Sequence, residues 1–459
     1  MAEIVLPGTY IKVFDEGLIS AGAVASGNIG IVGTANKGPL SEVQIISSFS
    51  EARAIFGDTG DWDPKSSNNL TLVRSLELIF NNGGRTIYAV RVATGSATHA
   101  KLDLSKGNTK YLSVKARTEG KHGESISVEL VKSAESQFIV TDGQTVEKYD
   151  VSETGSVFDF KALETAINDN SQLVEITSSK NVETDEVAPT YLTGGNNGEN
   201  AVSATYKNGL ELLENELVNI VVLAGQDTTD ADLLTAHLKK TAEEKRERIA
   251  VIGAAKDAET SHSQNSDRLI VAAPGIKTKT VNSATGKEIS VDLPAPYMAA
   301  AVAGLIASLP VQSSPTNKIL AISGLTTTYN TGKLEKLVTN RALAVENKEG
   351  FRIVKGITTS TNTAWHQITT RRIVDYAMYG VRSGCNPYIG KLNNERVRGA
   401  MKATLDAFLT RMVNDEALIS YELEVTATRA EQIQGIVQVT MTLRPAFSID
   451  FIKVNMYLG

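Results

Sequence analysis

The chain has 459 residues, 42% of them hydrophobic and 21% charged, with a net charge of −6. That length and composition fit about two to four folded domains and exclude disorder as the default state. The mild negative charge argues against a general nucleic-acid binder. A single cysteine, Cys385, excludes an internal disulfide and a cysteine-based zinc cluster.

The first residues, MAEIVLPGTYIKV, have neither a basic n-region nor a long apolar h-region, so they do not read as a secretory signal. Residues 1–20 read as a short apolar arm around Pro7-Gly8. IGIVGTANKGPL, residues 29–40, reads as a buried strand running into a glycine-proline turn. A short helix follows in SFSEARAIFG, with Ser50 as its expected cap. Over 68–81 the spacing predicts a helix, with Leu70, Val73, Leu76, Ile79 and Phe80 on one face. NNGG ends it, and RTIYAVRV is the next strand.

Residues 98–190 change character. They are rich in Ser, Thr, Glu and Lys and carry ten Lys and Arg against sixteen Asp and Glu. Short alternating runs such as YLSVKA and SISVELV predict a β-rich insertion. Beyond it the helix-strand alternation resumes: GLELLENEL is helical, NIVVLAG a strand, the stretch with KKTAEEKRER helical, and RIAVIGA and RLIVAAPG two further strands. Near-continuous apolar strands between helices predict a partly parallel sheet covered on both faces. PAPYMAAAVAGLIASLP, residues 294–310, is too short for a membrane span and reads as a buried helix whose small side chains permit close packing.

From residue 346 a different unit is expected. FRIVKGITT reads as a strand and TTRRIVDYAMYGVRSG as a helix. LNNERVRGAMKATLDAFLTRMVNDEAL reads as a long amphipathic helix, with Asn393 its expected cap and Val397, Met401, Leu405, Phe408 and Met412 its apolar stripe. LISYELEVTA alternates, with Ile419, Tyr421, Leu423 and Val425 on one face, and IVQVTMTLR does the same. In the last segment, AFSIDFIKVNMYLG, the apolar row changes phase: Phe447, Ile449 and Phe451 give way to Ile452, Val454, Met456 and Leu458. Side chains alternate with period two, so the row moves to the other face. Either a bulge within one sheet or a strand that leaves its own sheet for another chain's would do this.

Chemistry is thin. The histidines, His99, His122, His237, His262 and His366, are scattered, and no HExxH, P-loop, GxGxxG or GxSxG occurs. GTANKG is a weak phosphate-loop mimic whose glycines more commonly serve backbone geometry. His262 and Asp267 could be posed as an acid-base pair in a polar loop, though solvated loop residues are commoner. No catalytic, cofactor-binding or metal residue is assigned. Charge is unevenly spread: residues 346–459 carry fourteen Lys and Arg against eleven Asp and Glu. Arg398 and Lys402 lie one turn apart on one flank of the long helix, with Arg396 and Arg411 on another. They form either an ordinary solvated face or a docking surface for an acidic partner.

LPGTYIKVFDEG, GIVGTANKGPLSEVQIISSFSEARAIFG, LELIFNNGGRTIYAVRV, and NNERVRGAMKATLDAFLTRMVNDEAL with the strands to FIKVNMYLG occur in the order seen in one family. The chain resembles the sheath proteins of contractile phage tails and related injection systems. Residues 98–190 match poorly, and RRIVDYAMYGVRSGCNPYIG stands where that family often has a tryptophan-rich stretch.

The resemblance implies a multidomain α/β and α+β chain. Residues 1–20 would be a linking arm, 21–97 and 191–345 an α/β core, 98–190 an inserted outer β-rich domain, and 346–459 a tube-facing α+β domain with an exchanged terminal strand. It implies a non-enzymatic subunit of stacked hexameric rings around an inner tube, contracting without a cofactor. The arms would use Ile4, Leu6, Tyr10, Ile11 and Val13 at one end and Ile452, Val454, Met456 and Leu458 at the other. Arg396, Arg398, Lys402 and Arg411 are the candidates facing the tube. Other implied partners are baseplate and tail terminator proteins, with no nucleic acid and no direct membrane insertion. The implied location is a virion or injection-system particle, made in the bacterial cytoplasm. The alternatives are an α/β enzyme, or another ring-forming tail or baseplate component.

Overall fold

The computed structural model describes residues 26–66, 69–133, 135–198, 201–258, 261–282 and 285–458. The chain divides into two compact units. One runs from Gly27 to His366 apart from residues 311–314, and the other holds Ser26, Val311–Ser314 and the chain from Gln367 onward.

The first unit is built on an eight-stranded sheet. Its strands are β1 (Ile29–Gly33), β2 (Val43–Ile46), β3 (Ile87–Arg91), β4 (Ile220–Asp227), β5 (Ile249–Gly253), β6 (Leu269–Ala273), β7 (Ala342–Asn347) and β8 (Phe351–Ile353), in the order β8-β7-β6-β5-β4-β1-β3-β2. The six inner strands are parallel and the two edge strands antiparallel. β1, β3, β5 and β6 are buried along their whole length, which is why they read as apolar runs rather than alternating ones. Each such Val, Ile or Leu contributes roughly 1.5–3 kcal/mol by leaving water.

Helices α1 (Phe49–Phe56) and α2 (Leu72–Asn81) precede β3, and α2 shares one face of the sheet with α5 (Ala295–Ser308). Tyr206 and Leu210 of α3 (Ser203–Leu212), Leu234 and Leu238 of α4 (Ala231–Glu243) and Leu337 of α6 (Thr331–Thr339) cover the other face. α5 is buried almost all round. A Cβ on Gly304 would lie 2.4 Å from the Ile79 carbonyl oxygen, so the small residue is what lets α5 approach α2. Among the described residues no helix is long and apolar enough to cross a membrane.

Local details differ from the sequence expectations for physical reasons. Ser48, not Ser50, caps α1: its hydroxyl accepts from the Glu51 amide, while the Glu51 carboxylate reaches back to Ser47. α3 begins at Ser203 and ends at Leu212, and LENEL forms the turn beyond it. The boundary of the C-terminal unit lies after His366 rather than at 346, because β8 pairs antiparallel with β7 and closes the core sheet.

Residues 98–190 leave and rejoin at neighbouring points, joined by bridges Thr98↔Asn196 and Lys101↔Thr193. They form a three-stranded and a four-stranded antiparallel sheet with a helix over Phe160–Asn170. Tyr111, Phe138, Phe158 and Phe160 lie in their own apolar core. Arg91, fully buried at the end of β3, fastens this region to the sheet. Its Nη1 donates to the Gly38 carbonyl at 2.5 Å and to the Glu119 carbonyl at 2.8 Å. Burial pushes its pKa down to about 10, so it stays charged.

A buried histidine ties stability to pH. His237 on α4 is 5% exposed, and its Nε2 lies 3.2 Å from Arg248 Nη1, which also donates to the Leu213 carbonyl. Burial, then the charge of Arg248, pushes the His237 pKa down to about 3. The unfolded chain takes up that proton near pH 6.5 and the folded one does not, so stability present at neutral pH is lost as pH falls from about 6.5 toward 3. Moving from pH 7 to pH 5 should remove about 2 kcal/mol through this group. His237→Gln should flatten the acid limb of the stability curve measured by urea unfolding, relative to wild type. An unchanged limb would contradict the assignment.

Candidate functional site

The features that sequence places at the functional end of the chain gather in the C-terminal unit. Its core is two helices, α7 (Ile368–Cys385) and α8 (Glu395–Asn414), and a hairpin of β9 (Leu418–Thr426) and β10 (Gln438–Pro445). Met401, Leu405, Phe408 and Met412 are buried along α8 with Thr404 and Leu409, and Val397 is half-buried. Phe408 lies directly over α7: a Cβ on Gly380 would sit 2.0 Å from its ring. Asn394, rather than Asn393, caps α8 by accepting from the Val397 amide at 2.9 Å. Asn393 is used elsewhere. Its Nδ2 donates to the Ile436 carbonyl at 2.9 Å, and its Oδ1 accepts from Arg398 Nη1 at 2.8 Å. The start of α8 is thereby tied to the crossover between β9 and β10.

The hairpin pairs Tyr421 with Leu443, Leu423 with Met441 and Val425 with Val439. Tyr421, Leu423, Val425, Val439 and Leu443 pack toward the helices. Glu422, Glu424, Thr440 and Thr442 are exposed on the other face. Ile419 does not join the packed row. The register slips between Leu418 and Ser420, so Leu418 is buried while Ile419 is 66% exposed. Among the described residues this sheet has only two strands, so both of its outer edges are open to pairing.

The terminal segment leaves the hairpin after Pro445. Ala446 donates to the Ala417 carbonyl at 3.1 Å. Next, Gln367 holds Ser448: its Oε1 accepts from the Ser448 amide at 3.0 Å, and its Nε2 donates to the Ser448 carbonyl at 3.1 Å and to Asp450 Oδ2 at 3.1 Å. Beyond this point no strand is assigned over 451–458. Ile452, Val454, Met456 and Leu458 are 76–94% exposed. Among the described residues the segment joins no sheet. The N-terminal candidates Ile4, Leu6, Tyr10, Ile11 and Val13 lie outside the described residues.

Arg396, Lys402 and Arg411 are exposed on α8, and Arg398 is half-buried by its bond to Asn393. Periodicity does not reveal the exposed aliphatic residues near the start of α8. Ile389 and Leu392 before α8, and Ile433 and Ile436 in the crossover, are 46–79% exposed around the Asn393–Ile436 bond. Apolar side chains in polar turns are the available signal.

The chemical candidates resolve differently. In GTANKG the Asn36 carbonyl accepts from the His122 amide at 3.4 Å and Lys37 approaches Asp142 at 3.9 Å, so the loop joins the core to the insertion. His262 is buried, not solvated, and burial beside Arg341 lowers its pKa. Burial pushes the Cys385 thiol up, away from the reactive thiolate. No cluster of three or more His, Cys, Asp or Glu able to hold a metal occurs among the described residues.

Known proteins match the chain at both sequence and fold level. The family described as phage tail sheath protein central domain matches residues 199–359, and the phage tail sheath C-terminal domain matches 360–459. The tail sheath protein of Bacillus phage SP01 is 29% identical over 254 residues, 52% of this chain and 43% of that relative, so the match spans less than half of the relative's length. The crystal structure of the sheath tail protein from Desulfitobacterium hafniense has a TM-score of 0.68 at 16% identity, covering 96% of this chain and 100% of that one. The sheath tail protein from Listeria innocua gives 0.68 at 15%, covering 93% of each. The helical sheath of the anti-feeding prophage in its contracted state gives 0.57 at 14%, covering 99% of each. At these identities the structural likeness is one of fold. The two contiguous family matches span more than half of the sequence, and the chain belongs to the phage tail sheath protein family.

Proposed function

We propose that this chain is a sheath subunit that polymerises as stacked hexameric rings around an inner tube and contracts to drive the tube through a target envelope. The observation that carries this reading is the segment 452–458. Its apolar residues alternate in sequence and are exposed, and among the described residues the β9–β10 sheet of the same unit has only two strands. A copy's terminal strand added to a neighbour's hairpin would answer both features at once. Ile452, Val454, Met456 and Leu458 would each gain roughly 1.5–3 kcal/mol if fully covered, less the entropy of ordering the segment. Backbone pairing suits a joint that must persist while rigid domains move. The N-terminal arm, through Ile4, Leu6, Tyr10, Ile11 and Val13, is assigned the same role toward another copy.

The basic residues along α8, Arg396, Arg398, Lys402 and Arg411, with Ile389, Leu392, Ile433 and Ile436 near the start of that helix, are the surface we assign to the tube. The acidic insertion would face outward. The work would come from a metastable array relaxing to a better-packed one, a bistable interface rather than a nucleotide-driven step. Related folds occur in the contracted sheath complex of an extracellular contractile injection system and in the anti-feeding prophage baseplate. These support a place in such a particle, and the tube, baseplate and terminator proteins are the partners we assign to it. Electron microscopy of the purified full-length chain should show tubes of stacked sixfold rings. Uniform small particles would contradict the proposal.

A further inference from the structure

Both ends of the described chain are held by the beginning of one helix. Gln367 immediately precedes α7, and Arg372 lies in its second turn. The Gln367 amide makes a two-way bond to the Ser448 backbone, accepting from its N–H and donating to its C=O. That is how a neighbouring strand would bond it, with a side chain standing in for the strand. The second Nε2 hydrogen goes to Asp450 Oδ2. Only one orientation of the amide satisfies all three contacts. At the other end of the chain, the Arg372 Nη2 donates to the Ser26 carbonyl at 3.1 Å. Arg372 is 6% exposed.

We infer that Gln367 is a positioning residue that moors the C-terminal linking arm to the start of α7, fixing where it leaves its subunit. This rests on the sheath reading above. If the C-terminal arm couples copies, tension on it is delivered to α7, which packs through Gly380 on Phe408 of α8. A strand exchanged from a fixed point also finds its acceptor edge with less conformational freedom to lose. Gln367 has no role in the packed core of the unit. Its effect should therefore fall on assembly and not on folding.

The test uses full-length protein. In the dilute, unassembled state, hydrogen exchange at the Ser448 amide reads the mooring directly. Gln367→Ala should speed that exchange at least tenfold while leaving the amides of α7 and α8 unchanged. Gln367→Glu keeps an acceptor for the Ser448 N–H but should assemble less well than Gln367→Ala, because a carboxylate cannot donate to the Ser448 carbonyl and meets the Asp450 charge. Adding Asp450→Asn to Gln367→Glu should recover part of the assembly, since the introduced side-chain amide can donate to the introduced carboxylate; a merely misfolded variant would not be rescued this way. A chain truncated after Phe451 serves as the reference for loss of the arm. Unchanged Ser448 exchange in Gln367→Ala, with wild-type tubes while the truncation forms none, overturns the mooring and leaves the sheath reading standing. Tubes from the truncation overturn both, because the arm then couples nothing.

Discussion

Reversing the charge of Arg398 and Lys402 together, to glutamate, should abolish assembly around the inner tube and leave the subunit folded. The two residues lie one turn apart on α8, and Lys402 is exposed. The C-terminal region carries an excess of Lys and Arg while the insertion carries an excess of Asp and Glu, so the two regions are electrostatically distinct. Charges at a docking rim set orientation and reject wrong partners, and like charges brought face to face cost several kcal/mol. Two reversals against an acidic surface should therefore weaken association by a hundredfold or more, and wild-type co-assembly should weaken as salt rises. Arg398 also donates to Asn393, which holds the Ile436 carbonyl, so its reversal carries a local structural cost. The single Lys402→Glu variant has no such bond to break and isolates the charge effect. Normal tube-bound particles from the double variant, with an unchanged circular dichroism spectrum, would remove α8 from the tube interface.

Gly380→Val should destabilise the C-terminal unit by about 3 kcal/mol. Any Cβ at this position would stand 2.0 Å from Phe408 Cζ, far inside contact distance. Four residues on, a Cβ at Gly384 would lie 3.0 Å from Leu405 Cδ2, so the two glycines form the strip on which α8 rests. A glycine inside a helix costs roughly 1 kcal/mol relative to alanine, and here the close approach of the two helices offsets that cost. Valine cannot be accommodated without moving Phe408 from its stacked contact with Tyr376, whose ring centroid is 5.8 Å away. Shortening Phe408 to leucine in the same chain should restore part of the loss, measured as a double-mutant cycle by urea unfolding. Additive losses would show that the two residues do not meet.

Much of this architecture is legible in the residues because burial writes itself into periodicity. β1, β5 and β6 are continuous apolar runs because both their faces are covered, and α2 and α8 show their buried stripes at helical spacing. What escapes sequence is decided by tertiary bonds. Asn393 and Asn394 are equally able to cap α8, and the bond from Asn393 to the Ile436 carbonyl settles which one does. The strand over 351–353 reads as the start of a new unit, yet a three-residue pairing assigns it to the core sheet. The slip that turns Ile419 outward leaves the alternation of LISYELEVTA intact on paper. Arg91 looks like a charge in a strand, and only the fold shows two carbonyls converging on it. The site follows the same division. The apolar terminal row and the basic flank are visible in the sequence, whereas the Gln367 contact to Ser448 joins residues too far apart in the chain for any spacing to reveal.

Electron microscopy of the full-length chain beside one ending at Phe451 bears most directly on whether the terminal strand couples subunits. Tubes are expected from the first and folded monomers from the second if, as proposed, residues 452–458 are the strand that one copy lends to the next. Identical small particles from both, or tubes from both, would show that the exposed terminal row does not couple subunits.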